Sequence, residues 1–196
     1  MAEIKVLVEG YAREEGGVEL ASSTTTLIRE GDLKIIVDPG MNKKLLLEAL
    51  EKENLTTNDI DYVFLSHNHM DHILLAGIFE NAKILDEDAI YSFNGTIKSH
   101  ESKIPGTSIE IVKTPGHDQL HSTIFVDTKE FGKVAIAADV FWWADNEEQK
   151  TDKESLINRE DPYVKDKEKL VESRKKLLEI ADYIIPGHGK MFKVEK

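Results

Sequence analysis

Tyr62-Val63-Phe64-Leu65-Ser66-His67-Asn68-His69-Met70-Asp71-His72 is an apolar run followed at once by three histidines and an aspartate within six residues. Neutral imidazole and carboxylate are ligands that zinc and similar divalent ions prefer, and three or four must converge to about 2.0 to 2.2 Å from one ion to hold it. A cluster this dense can supply two ions. If Tyr62 to Leu65 is a buried strand, the chain leaves the sheet still extended, so His67 and His69 project to the same side. The segment Asp71 to Phe79 then reads as a short helix. Asp71 and His72 would sit on its first turn, where the helix dipole favours a carboxylate.

Three further segments share this syntax. Ile109-Glu110-Ile111-Val112 leads into Thr114-Pro115-Gly116-His117, Val134 to Ala138 leads into Asp139, and Tyr183-Ile184-Ile185 leads into Pro186-Gly187-His188-Gly189. Singly, each polar residue could be a turn histidine or a cap. Functional groups in layered α/β proteins gather at the carboxyl ends of strands, so four such ends can converge on one site.

This order of motifs, His-x-His-x-Asp-His, Thr-Pro-Gly-His, a strand-end Asp and Pro-Gly-His-Gly, resembles the metallo-β-lactamase superfamily over nearly the whole chain. Thr24-Thr25-Thr26-Leu27-Ile28, a turn at Gly31-Asp32 and Ile35-Ile36-Val37-Asp38-Pro39-Gly40 look like that family's opening strands. Ser173 to Leu178, feeding Ala181-Asp182 and the last histidine, is most similar to the small metallo-β-lactamase-domain-containing proteins, glyoxalase-II-like metallohydrolases.

The resemblance implies a four-layered αββα sandwich formed by one domain over residues 1–196. It also implies one ion held by His67, His69 and His117, a second by Asp71, His72 and His188, and Asp139 as the bridge. Zinc is the expected ion, although histidine and carboxylate suit iron and manganese too. Such a centre would present a bridging hydroxide to an ester, thioester, lactone or phosphodiester, with Asp71 as the catalytic carboxylate that orients it. Alternatives are a mononuclear iron sulfur dioxygenase, an RNA phosphodiesterase and a non-catalytic binding module. Asp38 is expected either to fix a ligand imidazole or to serve only as a turn residue.

Two departures stand out. Many family members place glycine two residues after the second ligand pair, whereas Ile73-Leu74-Leu75-Ala76 intervenes here before Gly77, which predicts a more regular helix. His117 is followed by Asp118-Gln119-Leu120-His121, and His121 is expected to support the site through a hydrogen bond rather than as a ligand. His100, among Glu101 and Lys103, is expected on the surface. Trp142 and Trp143, directly after Asp139, are expected either to wall a substrate pocket or to fill the core.

The chain has 196 residues, 40% of them apolar and 32% charged, with a net charge of -12 and no cysteine. That length and the lack of a Pro/Gly/Ser-rich linker fit one domain. No apolar run approaches the 18 or so residues of a membrane span, and no signal peptide is evident, so a cytoplasmic location is expected. The acidic balance disfavours non-specific nucleic-acid binding, a small-molecule substrate is expected, and a homodimer is left open. Strands are predicted at 4–8, 20–28, 33–37, 62–65, 84–85, 109–112, 123–126, 134–138 and 183–185, and helices at 43–53, 71–79 and 165–180.

Overall fold

A computed structural model describes residues 1–196. The chain opens with strand β1 (Glu3–Val8), the hairpin β2 (Tyr11–Glu15) and β3 (Val18–Ser22), and the hairpin β4 (Thr25–Glu30) and β5 (Leu33–Val37). Helix α1 (Lys43–Lys52) returns to β6 (Tyr62–Phe64), and the single-turn helix α2 (Met70–Ile73) precedes β7 (Lys83–Leu85), β8 (Ala89–Tyr91) and β9 (Ile97–Ser99). The second half contains β10 (Glu110–Lys113), β11 (Ser122–Thr128), β12 (Gly132–Trp142), α3 (Lys153–Asn158), α4 (Lys167–Ile180), β13 (Tyr183–His188) and β14 (Phe192–Lys193).

These strands form a seven-stranded sheet, β1-β4-β5-β6-β7-β8-β9, a five-stranded sheet, β10-β11-β12-β13-β14, and the separate β2-β3 ribbon. Side-chain alternation explains why helices flank both sheets. Ile28, Ile35, Val37 and Phe64 of the first sheet meet Ile124, Val126, Val134 and Ile136 of the second in one central core. Their neighbours Leu27, Ile36 and Val63 point outward onto Leu46 and Leu50 of α1. On the far side, Phe125, Ala135 and Ala137 carry Leu170, Leu177 and Leu178 of α4. A strand exposes successive side chains to opposite faces, so strands apolar on both faces need cover on both. The result is the four-layered αββα sandwich. No helix is long and apolar enough to cross a membrane.

The structure departs from several sequence expectations. The predicted strand 20–28 is broken at Ser23 and Thr24, whose amides donate to Asp71 and Gly187 carbonyls, 3.0 and 2.6 Å away. The predicted helix 71–79 is a single α-turn followed by a 3-10 turn over Ala76–Ile78. The carbonyls of Asp71 and His72 accept from Ser23 and Gly40, while the Leu75 amide donates to Gly40, so helical pairing has no groups left with which to continue. Strand β12 extends four residues past Ala138, carrying Asp139 and Trp142 within it. The β8-β9 hairpin and α3 lack enough apolar periodicity to be foreseen.

Between Trp142 and α4 the chain forms a strap over one end of the second sheet. Arg174, only 2% exposed, reaches from α4 under it. Its Nε donates to the Val140 carbonyl at 3.0 Å and its Nη1 to the Arg159 carbonyl at 2.6 Å. Burial pulls this guanidinium down to about 10. Arg174→Met keeps most of the volume but removes both donors, leaving buried carbonyls unpaired at about 1 to 3 kcal/mol each. The variant is expected to lose roughly 3 kcal/mol of stability in urea titration, while a change within error would show that the clamp is dispensable.

Candidate metal centre

The carboxyl ends of β6, β12 and β13 and the loop after β10 meet at one rim of the sandwich. There the structure brings together all seven residues singled out from the sequence. Their donor atoms form two groups, His67, His69, His117 and Asp139 in one and Asp71, His72 and His188 in the other, each within 4.8 Å. Asp139 lies between the groups and addresses both. Its Oδ2 is 3.3 Å from His117 Nε2 and 3.7 Å from His67 Nε2, while its Oδ1 is 3.3 Å from His72 Nε2 and 3.8 Å from His188 Nε2. Asp71 Oδ2 lies 3.1 Å from His188 Nε2.

Local backbone devices aim these groups. Ala138 adopts φ 44, in the left-handed region, and the β12-β13 register shifts around it, which turns Asp139 out of the ladder. Such irregularities re-aim strand side chains. Gly187 is required opposite, because a Cβ there would overlap the Asp139 carboxylate. Asp38, at φ 47, is both the turn residue and the anchor anticipated from the sequence. Its Oδ1 accepts from the Ser66 amide at 2.8 Å, and its Oδ2 accepts from Ser66 Oγ at 2.6 Å and from His72 Nδ1 at 2.8 Å.

The outer nitrogens of four imidazoles fix which face looks inward. His72 Nδ1 donates to Asp38, His117 Nδ1 to Asp161 Oδ2 at 2.6 Å, and His188 Nδ1 to the Tyr11 carbonyl at 3.0 Å. Ser66 Oγ, committed as a donor to Asp38, accepts from His67 Nδ1 at 2.9 Å. Each partner fixes the outer nitrogen as a donor and leaves Nε2 facing the centre, where it is available as an acceptor whenever the ring is neutral. His69 is turned differently, with its Nδ1 3.1 Å from His117 Nε2.

Electrostatics follow from burial and crowding. Burial first, and then the neighbouring imidazoles, hold His67 well below its ordinary range, and burial with His117 lowers His69. For His72 the lowering effect of burial is overcome by the charges of Asp139 and Asp38, which raise it. Burial would raise Asp139, but His72 and His188 outweigh it and keep the carboxylate ionised. His67 Nε2, His72 Nε2 and Asp139 Oδ1 are buried without any hydrogen-bond partner. Buried polar atoms are rarely left so, because each costs free energy. Imidazole nitrogens and a carboxylate oxygen that converge without partners are a donor set that fits divalent cations.

The neighbours of this shell were less legible. His121 makes the hydrogen bond expected of it, from Nδ1 to Thr114 Oγ1 at 3.0 Å, and is fully buried, its ring stacked 4.8 Å from that of His67. Burial, with His117, pushes it down to about 3. His100 is half-buried rather than a plain surface residue, donating from Nε2 to the Asp86 carbonyl and accepting at Nδ1 from the Ser102 amide. Asp161, the partner of His117, was missed, because Asp161-Pro162 reads only as a turn. Its Oδ1 also accepts from the Tyr163 amide at 3.0 Å. The tryptophans divide. Trp143 packs in the core 5.8 Å from Phe192, whereas Trp142 lies 6.1 Å from His188 and 5.7 Å from Tyr163, beside the centre.

Comparisons with known proteins agree with this geometry. Residues 18–91 match the family model described as the metallo-beta-lactamase superfamily. The chain is 30% identical to metallo-beta-lactamase domain-containing protein 1 of Xenopus laevis, covering 98% of this chain and 82% of that protein. It is 32% identical to a probable metallo-hydrolase of Methanocaldococcus jannaschii, covering 98% of this chain and 90% of that one. A putative metallo-beta-lactamase from Thermotoga maritima superposes with a TM-score of 0.74 at 20% identity, covering 98% of this chain and 99% of that one. In sequence, fold and the placement of its strand-end histidines and aspartates, the chain belongs to the metallo-beta-lactamase superfamily.

Proposed function

We propose that this protein is a binuclear metal-dependent hydrolase that cleaves an ester, thioester, lactone or phosphodiester bond of a small molecule. The observation that carries it is Asp139, whose two carboxylate oxygens face separate donor groups 3.3 Å away on each side. His67, His69 and His117 would hold one ion, and Asp71, His72 and His188 the other, with zinc best matched to the imidazole and carboxylate set and iron or manganese compatible with it. Two such ions, when bound, polarise the bond to be broken and lower the pKa of a water molecule toward neutrality.

The remaining work falls to the chain. Asp71 has a side chain 20% exposed against 6% for Asp139, so Asp71 is the carboxylate that an incoming reactant meets. Its Oδ2 is the acceptor placed to orient a nucleophilic water and take its proton. Burial favours protonation of Asp71, but the adjacent His188 and His72 outweigh it, hold the carboxyl below its ordinary range and keep that oxygen an acceptor. A mononuclear iron dioxygenase would use only part of the shell and leave buried acceptors without a partner. An RNA substrate is disfavoured by the net charge of -12.

Elemental analysis of protein purified without a metal-affinity tag is expected to give two divalent ions per chain, and one iron per chain would favour the dioxygenase. Asp139→Ala is expected to abolish turnover and lower the ion count; an active variant would rule out the bridging role. Asp161→Asn weakens the acceptor that orients His117, and such partners of metal-bound imidazoles are worth about 10- to 100-fold in affinity. Chelator competition should reveal that loss, with the thermal midpoint as the control for a folding defect.

A further inference from the structure

A cavity of about 530 Å³ opens beside the centre, lined by Trp142, Tyr163, Leu20, Ala12 and Ala21 together with the charged Arg13, Glu14, Glu19 and Asp145. None of the seven proposed ligands lines it, but two of its aromatic residues stand next to their rings. Trp142 lies 6.1 Å from the His188 ring, and Tyr163 lies 6.5 Å from the His117 ring. The backbone that carries both residues is tied down. The Tyr163 amide donates to Asp161, the same carboxylate that holds His117, and the Trp142 carbonyl accepts from Arg159 Nε at 2.6 Å. One carboxylate, Asp161, thus anchors both a proposed ligand and the backbone at one edge of the cavity.

Its opposite wall is the β2-β3 ribbon, whose register pairs Ala12 with Ala21 and Glu14 with Glu19. Alternation puts these four residues on one face. Two methyl groups make an apolar floor, and two carboxylates stand opposite each other at its outer end. Like charges directly opposed across a strand pair are destabilising, and neither Glu14 nor Glu19 takes part in an ion pair. The nearby cations are already engaged. Arg13 is bound to Glu15 at 2.6 Å and Asp145 at 3.2 Å, and Arg159 to Glu147. No uncommitted cation faces the cavity, while uncompensated carboxylates do.

We infer that this cavity receives the non-reacting part of the substrate, and that this part is a flat apolar acyl or aryl group bearing no negative charge. The chemistry rests on the hydrolase proposed above; the recognition does not. An apolar group gains from burial against the Trp142 and Tyr163 faces. A carboxylate, phosphate or sulfonate on the same group would meet Glu14 and Glu19 with no free cation to offset them. A positive end is favoured by the same charges and by the aromatic wall. Substrates with an anionic tail, such as phosphorylated or nucleotide-linked thioesters, are thereby disfavoured.

The test reads binding without turnover. Metal-loaded protein is titrated with 2-naphthylmethanol, 2-naphthylmethyl-trimethylammonium and 2-naphthalenemethanesulfonate while the Trp142 indole and Tyr163 resonances are followed by NMR. The neutral and cationic probes are expected to shift both signals and to bind at least tenfold more tightly than the sulfonate. Replacing the two exposed carboxylates together, Glu14→Gln with Glu19→Gln, is expected to shrink the gap between cation and anion severalfold and leave the neutral probe unchanged. Sulfonate binding as tight as the others, with shifts at Trp142, would overturn the inference, as would three probes that leave Trp142 and Tyr163 unmoved. Probe binding by a protein that cleaves no ester, thioester or lactone would uphold the cavity and remove the hydrolase; cleavage with the opposite charge preference would do the reverse.

Discussion

Placing the Asp139 carboxylate in the interior, 4% exposed and surrounded by imidazoles, is the constraint on which the rim of this sandwich depends. An isolated buried carboxylate costs far more than a folded chain has to spare. Here the cost is offset only because imidazole nitrogens approach from both sheets, at 3.3 to 3.8 Å. Every local irregularity nearby serves that approach. Ala138 adopts a left-handed φ, β12 slips its register against β13, and Gly187 gives up a side chain so that the carboxylate fits.

The histidines are held from behind as firmly as they converge in front. Asp38 carries Ser66 and His72, Ser66 carries His67, Asp161 carries His117, and the Tyr11 carbonyl carries His188. Each anchor comes from a different segment of the chain, so the ring orientations report the packing of the first hairpin, the strap and both sheets at once. Asp161 has the widest reach, since one carboxylate fixes a proposed metal ligand and, through the Tyr163 amide, the wall of the neighbouring cavity. Metal site and recognition site are two faces of one hydrogen-bonded unit.

How much of this was written in the sequence depends on whether the controlling interaction is local. The seven converging residues were legible because each follows an apolar run, and the end of such a run is visible in the hydrophobic pattern even where the strand itself continues, as β12 does past Asp139. The four layers came from the family resemblance, and the structure supplies their physical reason in runs apolar on both faces, such as Leu27-Ile28, Ile35-Ile36 and Val63-Phe64, which divide between two cores. Asp161 was not legible, because its role depends on a contact 44 residues away in the chain. The shortened helix at Met70–Ile73 failed for the same reason. Its carbonyls are taken by Ser23 and Gly40, which no window around residue 70 contains. For His121 the hydrogen-bonding role was legible and Thr114 fulfils it, whereas the packing against His67 that buries the ring fully left no mark in its polar stretch.

Both donor groups straddle the seam between the sheets. His67 and His69 follow the first sheet, while His117 and Asp139 belong to the second; Asp71 and His72 follow the first, while His188 ends a strand of the second. The backbone joins the sheets at the same rim, through the Thr24 amide to the Gly187 carbonyl and the Ser122 amide to the Ser66 carbonyl. A cation held by either group therefore bonds one sheet to the other rather than decorating a finished surface. Binding to the folded state alone adds RT ln(1 + [L]/Kd), about 2.7 kcal/mol at a free ion concentration one hundred times Kd. That energy falls on the seam, where the chain has gathered most of its buried polar atoms without partners. The same convergence that makes the rim electrostatically costly when its acceptors face only each other makes it a clamp when they share a cation, so the proposed chemistry and the cohesion of the fold draw on one set of side chains.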